Sequence, residues 1–449
     1  MAASRKAQKN KTIADTVAQA IASHLSRDAS LVVALSGGLD SVVLFHLVRT
    51  CQPILGFRFK CVHVHHGLSA NADQWAEFCR GLCVAHGVAF DLQRVSVARD
   101  DPAGIEAAAR AARRRVFATI ETDALLSAHH QDDQAETLLL QLLRGAGPKG
   151  LAAMAAWHHP PGWKAAQLRP LLGVTRGEIR SYAERHCLRW VEDESNLDSR
   201  HRRNALRNEL LPQLARHFPG YAATLARAAA LQAESAELLD DLAAIDAAAA
   251  ISDGGLDCLA LARLSPVRQR NLLRHFIAAQ GHRLPNQRRL EQALQQLLNA
   301  GPDARLCVNL GAVELHRFRG HAWLVPPASE DASDRVEWQG EAVLDLPWLA
   351  QPLRFSAASG MGVKRDWLEA GPVEVRRRQG GERLRPLAGG PHRSLKNLLQ
   401  EAAIPPWQRN SLPLLWCRGR LAWAAGVGYD ADCLAQPGEA GIILSLGGH

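Results

Sequence analysis

Apolar and polar positions along the first part of the chain follow two different periods. Short apolar runs predict buried strands, at residues 31–35, 59–65, 88–97, 125–128 and 188–191. Between these runs apolar residues recur at helical spacing and predict helices, at residues 12–25, 42–48, 71–86, 104–122 and 175–186. Alternating strands and helices indicate an α/β fold, with a Rossmann-like parallel sheet covered by helices on both faces. Such a sheet binds its ligands at the carboxyl ends of its strands.

The pattern changes after Pro219-Gly220. Helical spacing continues through one alanine-rich segment and two shorter segments, at residues 221–250, 267–279 and 286–298. Residues 305–324 alternate like strands, 326–334 form a polar linker, and most of the remainder is predicted as strands. We therefore expect an α/β domain at 1–218, a small, mainly helical domain at 219–334 and a C-terminal mixed α+β domain at 335–449.

Composition narrows the class of protein. The chain has 449 residues, a formal charge of +8 and a pI near 9.2, which favours a polyanionic partner because Lys and Arg neutralise phosphates. No apolar run reaches the ~18 residues of a membrane span. The nine cysteines include no Cys-x-x-Cys pair and match no zinc or iron–sulfur spacing, and Cys79 and Cys83 are predicted in the core. We expect a soluble, cytoplasmic protein.

The first candidate for chemistry is the hexapeptide Ser36-Gly37-Gly38-Leu39-Asp40-Ser41, between a predicted strand and a predicted helix. Its two glycines let the backbone approach a phosphate, and the first helical amides, with the Ser36 and Ser41 hydroxyls, point at it. Asp40 then suits Mg²⁺ held against that phosphate. A capped strand-to-helix turn is the alternative. The complete hexapeptide resembles the PP-loop of the ATP pyrophosphatase superfamily, which cleaves ATP to AMP and pyrophosphate.

A second candidate is the polar cluster at residues 127–137, which follows the predicted strand at 125–128. It contains three acids and two histidines: His129, His130, Asp132, Asp133 and Glu136. Capping of the next helix explains one acid. The whole set at the carboxyl end of a strand favours recognition of a cationic amine, together with proton handling.

Further histidines and arginines are predicted near the same edge. His63 and His65 share one face of a strand, where packing, nucleotide contact and metal binding are the alternatives. Arg110 and Arg113 share a helix face with Glu106. This face is either a solvated, salt-bridged surface or one whose arginines neutralise pyrophosphate. Five arginines between residues 200 and 220 indicate either a solvated helix or a nucleic-acid clamp.

Several motifs together carry a more specific resemblance. They are His65-His66-Gly67-Leu68, residues 128–137, Arg144-Gly145, Arg169-Pro170-Leu171-Leu172, Glu192-Asp193-Glu194-Ser195-Asn196, Arg203-Asn204 and residues 384–416. With these motifs and the domain order, nearly the whole chain resembles the tRNA(Ile)-lysidine synthase family. The resemblance implies that ATP adenylates the C2 oxygen of the wobble cytidine in a CAU anticodon. An amine of L-lysine then displaces AMP and converts the base to lysidine.

The resemblance also implies roles for individual residues. ATP, Mg²⁺, L-lysine and tRNA(Ile) are the expected ligands, and Asp40 holds Mg²⁺ through the phosphates. Lysine is held by Asp133 and Glu136. The expected catalytic residues are Asp40, His130, Asp133 and Arg203. The expected ATP-binding residues are Ser36, Gly37, Gly38, Leu39, Asp40, Ser41, His65, Arg110 and Arg113. The base that accepts the proton of lysine is not assigned.

Other functions remain as alternatives at this point. A tRNA base thiolase of the same superfamily would usually display cysteine pairs, which are absent here. A tRNA-binding protein with an inactive nucleotide fold is the alternative from another class. The arginine-rich stretches at 263–289 and 376–396 suit phosphate contacts with the tRNA body in either case. The sequence leaves open whether the chain forms a homodimer.

Overall fold

The computed structural model describes residues 12–98, 100–101, 104–194, 202–301, 306–326, 333–349 and 351–446. The chain divides into two compact units between Leu239 and Asp240. The predicted domain boundaries after residues 218 and 334 stay predictions, and most of the predicted linker lies outside the described residues. Among the helices of the described part, none has the length and apolar character that a membrane crossing requires.

A six-stranded sheet forms the centre of the first unit. Its strands are β1 Ser30–Ala34, β2 Arg58–His65, β3 Ala89–Arg94, β4 Ala124–Leu126, β5 Trp157–His158 and β6 Ala166–Leu168. The order is β3-β2-β1-β4-β6-β5, and all neighbours are parallel except β5, which runs antiparallel to β6 at the edge. The predicted Rossmann-like parallel sheet is confirmed.

The helices of this part of the chain follow in order, and the last of them crosses the boundary between the two units. They are α1 Ile13–Ala22, α2 Leu39–Leu55, α3 Ala72–Ala85, α4 Ile105–Thr119, α5 Gln131–Leu142, α6 Pro148–Leu151, α7 Arg176–Arg185, α8 Arg202–Ala205, α9 Leu211–His217 and α10 Tyr221–Ala250. A π-helical segment, Leu206–Leu210, joins α8 to α9. Helix α2 is apolar on most of its surface and lies in the core beside β1. Cys79 and Cys83 are fully buried there, as predicted.

The strand order places a switch point beside β1. The chain continues from β1 to β2 and β3 on one side, and β4 then pairs with the other side of β1. In a doubly wound sheet this reversal opens a crevice at the carboxyl ends of the two strands, where ligands bind. The turn at residues 36–41 follows β1, and the polar cluster at 127–137 follows β4. Both candidate stretches therefore meet at this crevice.

One predicted strand is wrong. Residues 188–191 form no strand, and the position beside β4 is taken by β6. The segment instead crosses the glycine turn, where the amide of Val191 donates to the carbonyl of Gly37 at 3.0 Å. Its apolar side chains are partly buried, and Leu188 and Trp190 pack against the core of the first unit without a place in the sheet.

The second unit begins with helices packed on a sheet. The strands are β7 Ile251–Ser252, β8 Gly255–Asp257, β9 Cys307–Asn309, β10 Glu314–Phe318 and β11 His321–Val325, in the order β7-β8-β11-β10-β9. The helices are α11 Cys258–Arg263, α12 Pro266–Ala279 and α13 Gln287–Asn299. The region predicted as mainly helical thus also contains a five-stranded antiparallel sheet.

The remainder of the second unit is mostly antiparallel. Its strands are β12 Arg335–Trp338, β13 Val343–Leu344, β14 Leu353–Ser359, β15 Val363–Lys364, β16 Val373–Arg376, β17 Arg383–Leu384, β18 Arg393–Ser394, β19 Leu414–Cys417, β20 Arg420–Ala424, β21 Gly428–Tyr429 and β22 Ala440–Leu446. Its helices are α14 Arg365–Glu369, α15 Leu395–Glu401 and α16 Pro406–Arg409. Two sheets, β12-β16-β19-β20-β21 and β13-β14-β22-β15, contribute to one core. The predicted α+β character is confirmed.

Candidate active site

The turn after β1 is closed from inside by Ser41. This side chain is buried, and its hydroxyl oxygen accepts hydrogen bonds from the amides of Ser36 and Gly37 at 3.2 and 3.1 Å. The same hydroxyl donates to the carbonyl of Gly38 at 2.9 Å. Helix α2 begins at Leu39 without a side-chain cap, so its first amides are available to an anion. Ser41 therefore shapes the turn from within.

The two glycines of this turn differ in how much room the protein leaves for a side chain. Gly37 has φ +89°, and a Cβ there would lie 2.9 Å from Cγ2 of Val191 and 3.1 Å from Sγ of Cys79. Gly38 has φ −72°, and a Cβ there would meet its nearest neighbour, Oγ of Ser36, at 3.7 Å. The protein itself therefore requires glycine at position 37, whereas close approach of a ligand is the remaining reason for glycine at 38.

Asp40 and the start of α5 meet through His130. The imidazole of His130 is 1% exposed, and its Nε2 lies 3.6 Å from Oδ2 of Asp40 and 3.4 Å from Oδ2 of Asp133. Burial lowers the pKa of His130, but Asp40, Asp133 and Asp132 outweigh burial and raise it above the usual value. The other oxygen of Asp40, Oδ1, is buried without a hydrogen-bond partner among the described residues. This arrangement favours the protonated form of His130 and leaves Oδ1 of Asp40 for a cation.

Asp133 and Glu136 form a buried carboxylate pair on the first turns of α5. Their side chains are 11% and 1% exposed, and both bind two arginines. Arg203 donates to Oε2 of Glu136 at 2.7 Å and to Oδ1 of Asp133 at 2.9 Å. Arg207 donates to Oε1 of Glu136 at 2.6 Å and to the same Oδ1 at 3.0 Å. The site therefore binds two cationic side chains with two adjacent carboxylates.

The charges of this cluster shift one another's pKa values. Burial raises the pKa of Asp133, but His130, Arg203, His129 and Arg207 outweigh burial and lower it to about 2. Burial lowers the pKa of Arg207, whereas its bonds to Glu136 and the charge of Asp133 raise it overall. Asp133 therefore remains an anion at neutral pH. A protonated amine would meet the same electrostatic environment that the guanidinium groups meet here.

Arg207 was not among the predicted site residues. It lies one helical turn after Arg203 in the basic helix, and the structure places it on the same carboxylates. The helix widens to π-helical geometry at Leu206–Leu210, directly where Arg207 turns inward. Such segments are frequent at functional sites. The i, i+4 spacing of the two arginines was the signal in the sequence that would have found Arg207.

Other predicted residues border this cluster. Arg113 is partly buried on α4, and burial together with the nearby charges of Arg110 and Arg203 lowers its pKa to about 10. Burial and the charge of Arg113 lower the pKa of His66 to about 4. Arg110, Arg113 and Arg203 thus concentrate positive charge beside the crevice. A polyphosphate would relieve this repulsion.

His65 lies in a different environment. Its Nε2 is 3.2 Å from Oδ1 of Asp73, which also accepts a hydrogen bond from Arg94 at 2.8 Å. Nδ1 of His63 lies 2.8 Å from the carbonyl oxygen of Leu35. Both histidines therefore have partners within the protein, and of the three alternatives these contacts favour a structural role. The predicted contact between His65 and ATP stays a prediction.

A series of hydrogen-bonded polar side chains extends from His129, beside the cluster, to Arg169. Nδ1 of His129 lies 3.0 Å from Oγ of Ser127, and Ser127 accepts a hydrogen bond from Gln167 at 3.3 Å. Arg169 in turn donates to Gln167 at 2.7 Å. Burial lowers the pKa of His129 to about 3, so its imidazole is neutral. Arg169, from the Arg-Pro-Leu-Leu motif, therefore has a structural place behind the site.

Part of the predicted motif set is not placed. Ser195, Asn196 and Arg200 lie outside the described residues. Glu194 of the same motif accepts a hydrogen bond from Asn71 at 3.1 Å. Asp40, His130, Asp133, Glu136 and Arg203 are the predicted residues that the structure brings together.

Comparison with known proteins matches the chain along most of its length. A PP-loop domain model matches residues 9–214, a TilS substrate binding domain model matches residues 256–323, and a TilS substrate C-terminal domain model matches residues 373–446. The tRNA(Ile)-lysidine synthase of Nitrosomonas europaea is 42% identical over 417 residues, which cover 92% of this chain and 91% of that protein. The chain belongs to the tRNA(Ile)-lysidine synthase family.

Two further relatives in this family are similar to the same extent. The tRNA(Ile)-lysidine synthase of Aromatoleum aromaticum is 45% identical and covers 92% of this chain and 96% of its own. That of an Azoarcus species is 44% identical and covers 92% and 90%. The family predicted from the motifs is confirmed, and with it the class of ATP-using ligase.

Proposed function

We propose that this chain ligates L-lysine to C2 of the wobble cytidine, at position 34, of tRNA(Ile) with a CAU anticodon. ATP is consumed, and lysidine, AMP and pyrophosphate are formed. The observation that carries the proposal is the meeting of two groups at one switch point. The glycine turn with Asp40 suits a nucleotide triphosphate, and the buried pair Asp133 and Glu136 suits a cationic amino acid.

The reaction needs two substitutions. In the first, the C2 oxygen of cytidine bonds to the α-phosphorus of ATP and pyrophosphate leaves. The first amides of α2, together with the positive charge of Arg110 and Arg113, stabilise the departing anion. In the second, an amine nitrogen of lysine bonds to C2, the C2–O bond breaks and AMP leaves, while the amine loses a proton. AMP is a far better leaving group than the original oxygen, which is why ATP is spent.

Mg²⁺ fits one side of this site. Oδ1 of Asp40 is buried and unpartnered, and an anionic oxygen in that state suits a hard cation. Asp40 would hold the ion against the phosphates. When bound, Mg²⁺ neutralises charge that develops on pyrophosphate. Nε2 of His130 lies 3.6 Å from the other oxygen of Asp40, and the neighbouring carboxylates raise the pKa of His130 and so favour its cationic form.

The lysine site has a competitor within the protein. The carboxylate oxygens that we assign to lysine accept hydrogen bonds from Arg203 and Arg207 in this structure. Lysine must therefore share these oxygens or displace at least one guanidinium. Of the two arginines, Arg207 is the better candidate for displacement by lysine, because we assign a catalytic role to Arg203.

The decisive experiment measures AMP release by the purified full chain with ATP labelled at the α-phosphate. We expect release that depends on tRNA(Ile) with a CAU anticodon and rises when lysine is added, with lysidine detected in the digested tRNA. A transcript that differs only in carrying a GAU anticodon is the matched control and should remain unreacted. A chain that binds this tRNA but releases no AMP with lysine is instead a tRNA-binding protein with an inactive nucleotide fold.

A further inference from the structure

Three side chains of types that ligate metals lie close together, far along the chain from the candidate active site. Cys307 is on β9, and Glu314 and His316 are on β10. Sγ of Cys307 lies 3.5 Å from Oε2 of Glu314 and 3.6 Å from Nε2 of His316. The same Oε2 and Nε2 atoms are 2.9 Å apart. Three donors of different chemical type thus converge on one point, and the proposed function uses none of them.

The strand pairing explains why these residues meet. Cys307 and His316 are direct partners in the antiparallel ladder, and Glu314 precedes His316 by two positions on the same face. Val308 and Leu315 alternate with them and lie in the core on the opposite face. The three donors therefore share the outer face of the sheet by strand periodicity.

The separations fit tetrahedral zinc. Zinc binds thiolate at about 2.3 Å and imidazole or carboxylate at about 2.0–2.2 Å, and tetrahedral angles then place sulfur about 3.5 Å from each of the other donors. The two separations from Sγ of Cys307 have this value. The separation between Glu314 and His316 is that of a hydrogen bond, and a metal between them requires an opening of a few tenths of an ångström.

Neighbouring groups hold the imidazole in place. The ring of Trp407 packs against the ring of His316 with centroids 4.8 Å apart, and it also contacts Phe318 at 5.9 Å. The His316 side chain is 14% exposed, so its orientation is fixed by packing and strand pairing. A fixed imidazole is already positioned for a metal.

An ordinary ion pair between Glu314 and His316 accounts for two of the three residues. It does not account for a thiol that is equally close to both. A mixed set of sulfur, nitrogen and oxygen donors suits zinc better than calcium or magnesium, which prefer oxygen alone. We propose that Cys307, Glu314 and His316 bind one Zn²⁺ ion, with water as the fourth ligand.

A zinc ion at this position would attach the edge strand β9 more firmly to β10. Strand β9 has three residues and pairs with β10 alone among the strands of its sheet. A zinc ion shared by β9 and β10 ties this edge to the sheet and adds its binding free energy to the stability of the region. This role is independent of lysidine formation.

The test uses the full-length chain without an affinity tag. Metal is removed with a chelator, and Co²⁺ is titrated as a spectroscopic substitute for Zn²⁺. We expect saturation at one ion per chain, with a thiolate-to-cobalt charge-transfer band and the intense visible bands of a tetrahedral site. Zn²⁺ should displace Co²⁺ and raise the thermal midpoint of the apo chain.

Two variants test Cys307 and His316 as ligands, and a third serves as the control. Cys307→Ser should abolish the charge-transfer band, and His316→Gln should abolish stoichiometric binding. Cys187→Ser removes an exposed thiol in the first unit and should leave the spectrum unchanged. Circular dichroism checks that each variant is folded. A wild-type chain that binds no Co²⁺ at micromolar concentration, or a thiolate band that persists in folded Cys307→Ser, overturns the proposal.

Discussion

Charged residues are arranged differently in two of the three stretches that the sequence marks as basic. At the crevice of the first unit, Arg203 and Arg207 converge on one buried carboxylate pair, and the charges share partners. At residues 376–396 each paired arginine binds one acid, in pairs that range from the buried Arg378–Glu382 to the exposed Arg393–Glu401, and Glu374 and Asp432 each bind a second arginine as well. The first arrangement concentrates two guanidinium groups and two carboxylates in one buried cluster. The second distributes its ion pairs along the segment.

Most acidic partners of the second arrangement lie outside the basic stretch itself. The stretch 376–396 contains Glu382 as its single acid, yet most of its arginines have an acidic partner. The pairs are Arg376–Glu374 at 2.7 Å, Arg377–Asp334 at 3.5 Å, Arg378–Glu382 at 3.4 Å, Arg385–Asp432 at 2.9 Å and Arg393–Glu401. Local charge counting therefore overstates how much positive charge this surface offers to tRNA.

The difference sets the scale of expected mutational effects. Removing one partner of a buried pair leaves an uncompensated charge and costs about 3–5 kcal/mol, whereas an exposed pair contributes about 0–1 kcal/mol. Glu136 is 1% exposed, and Glu401 is 58% exposed. We therefore expect large effects in the crevice and small ones on the basic surface.

The largest effect should come from Asp40→Ala. The change removes the carboxylate that we assign to Mg²⁺, so AMP formation with tRNA should be abolished. One of its oxygens has no hydrogen-bond partner among the described residues, and the other is 3.6 Å from His130, so little packing is lost. AMP release and the thermal midpoint are measured together. Asp40→Asn keeps the volume without the charge and should be equally inactive; normal turnover in either folded variant contradicts the role.

The next effect concerns lysine. Glu136→Gln and Asp133→Asn should each raise the KM for lysine roughly 10- to 100-fold, because a hydrogen bond to a charged group is worth about 1.5–3 kcal/mol. Adenylation of tRNA in the absence of lysine should continue. Pyrophosphate release without lysine measures that step. Equal loss of both steps in a folded variant would show that these carboxylates do not serve lysine specifically.

Arg207 sharpens the same assignment. If its guanidinium occupies oxygens that lysine needs, Arg207→Gln should lower the KM for lysine several-fold, because the competitor is gone. Arg203 has its own bonds to both carboxylates and should keep them in that variant. Steady-state kinetics over a range of lysine concentrations give the KM. A raised KM with unchanged adenylation would instead make Arg207 a support for the carboxylates.

The glycine turn offers a matched pair of smaller changes. Gly37→Ala meets Val191 and a left-handed φ, so it should destabilise the fold by about 1–3 kcal/mol. Gly38→Ala meets no contact closer than 3.7 Å, so stability should be kept while the KM for ATP rises. Thermal midpoints and ATP kinetics separate the two. A Gly38→Ala enzyme with unchanged ATP kinetics would remove close phosphate approach as the reason for that glycine.

Much of the fold could be predicted because its signals are local. Apolar runs predicted β1 to β4, and helical spacing predicted α10 with its observed bounds. The misses have local causes as well. The apolar residues at 188–191 pack outside the sheet, with Val191 against the glycine turn and Leu188 and Trp190 against the core, and β6 was overlooked because it has three residues. The β7–β8 hairpin carried an Asp253-Gly254 signal that the prediction passed over.

From the residue pattern alone, the site was predictable only where polar residues follow the strand ends, and Arg203 was predicted from the family resemblance instead. Asp40, His130, Asp133 and Glu136 follow β1 and β4, so a parallel sheet brings them together. Partners from distant segments were not predictable in this way. Arg207 is 71 residues from Glu136, and Gln167 is 40 residues from Ser127. No periodicity encodes such pairings, because they depend on how segments pack after the sheet has formed.

The smallest effect tests the basic surface itself. Arg383 and Lys396 are exposed and have no acidic partner in the described part of the chain, although Arg383 donates to the carbonyl of His392 at 2.8 Å. Arg393, by contrast, is paired with Glu401. If unpaired cations contact tRNA phosphates, Arg383→Gln and Lys396→Gln should each flatten the log–log salt dependence of tRNA binding by about 0.7–0.9. Arg393→Gln changes the net charge equally and should flatten it less. Equal slopes for all three variants and the wild type would mean that this surface is merely solvated.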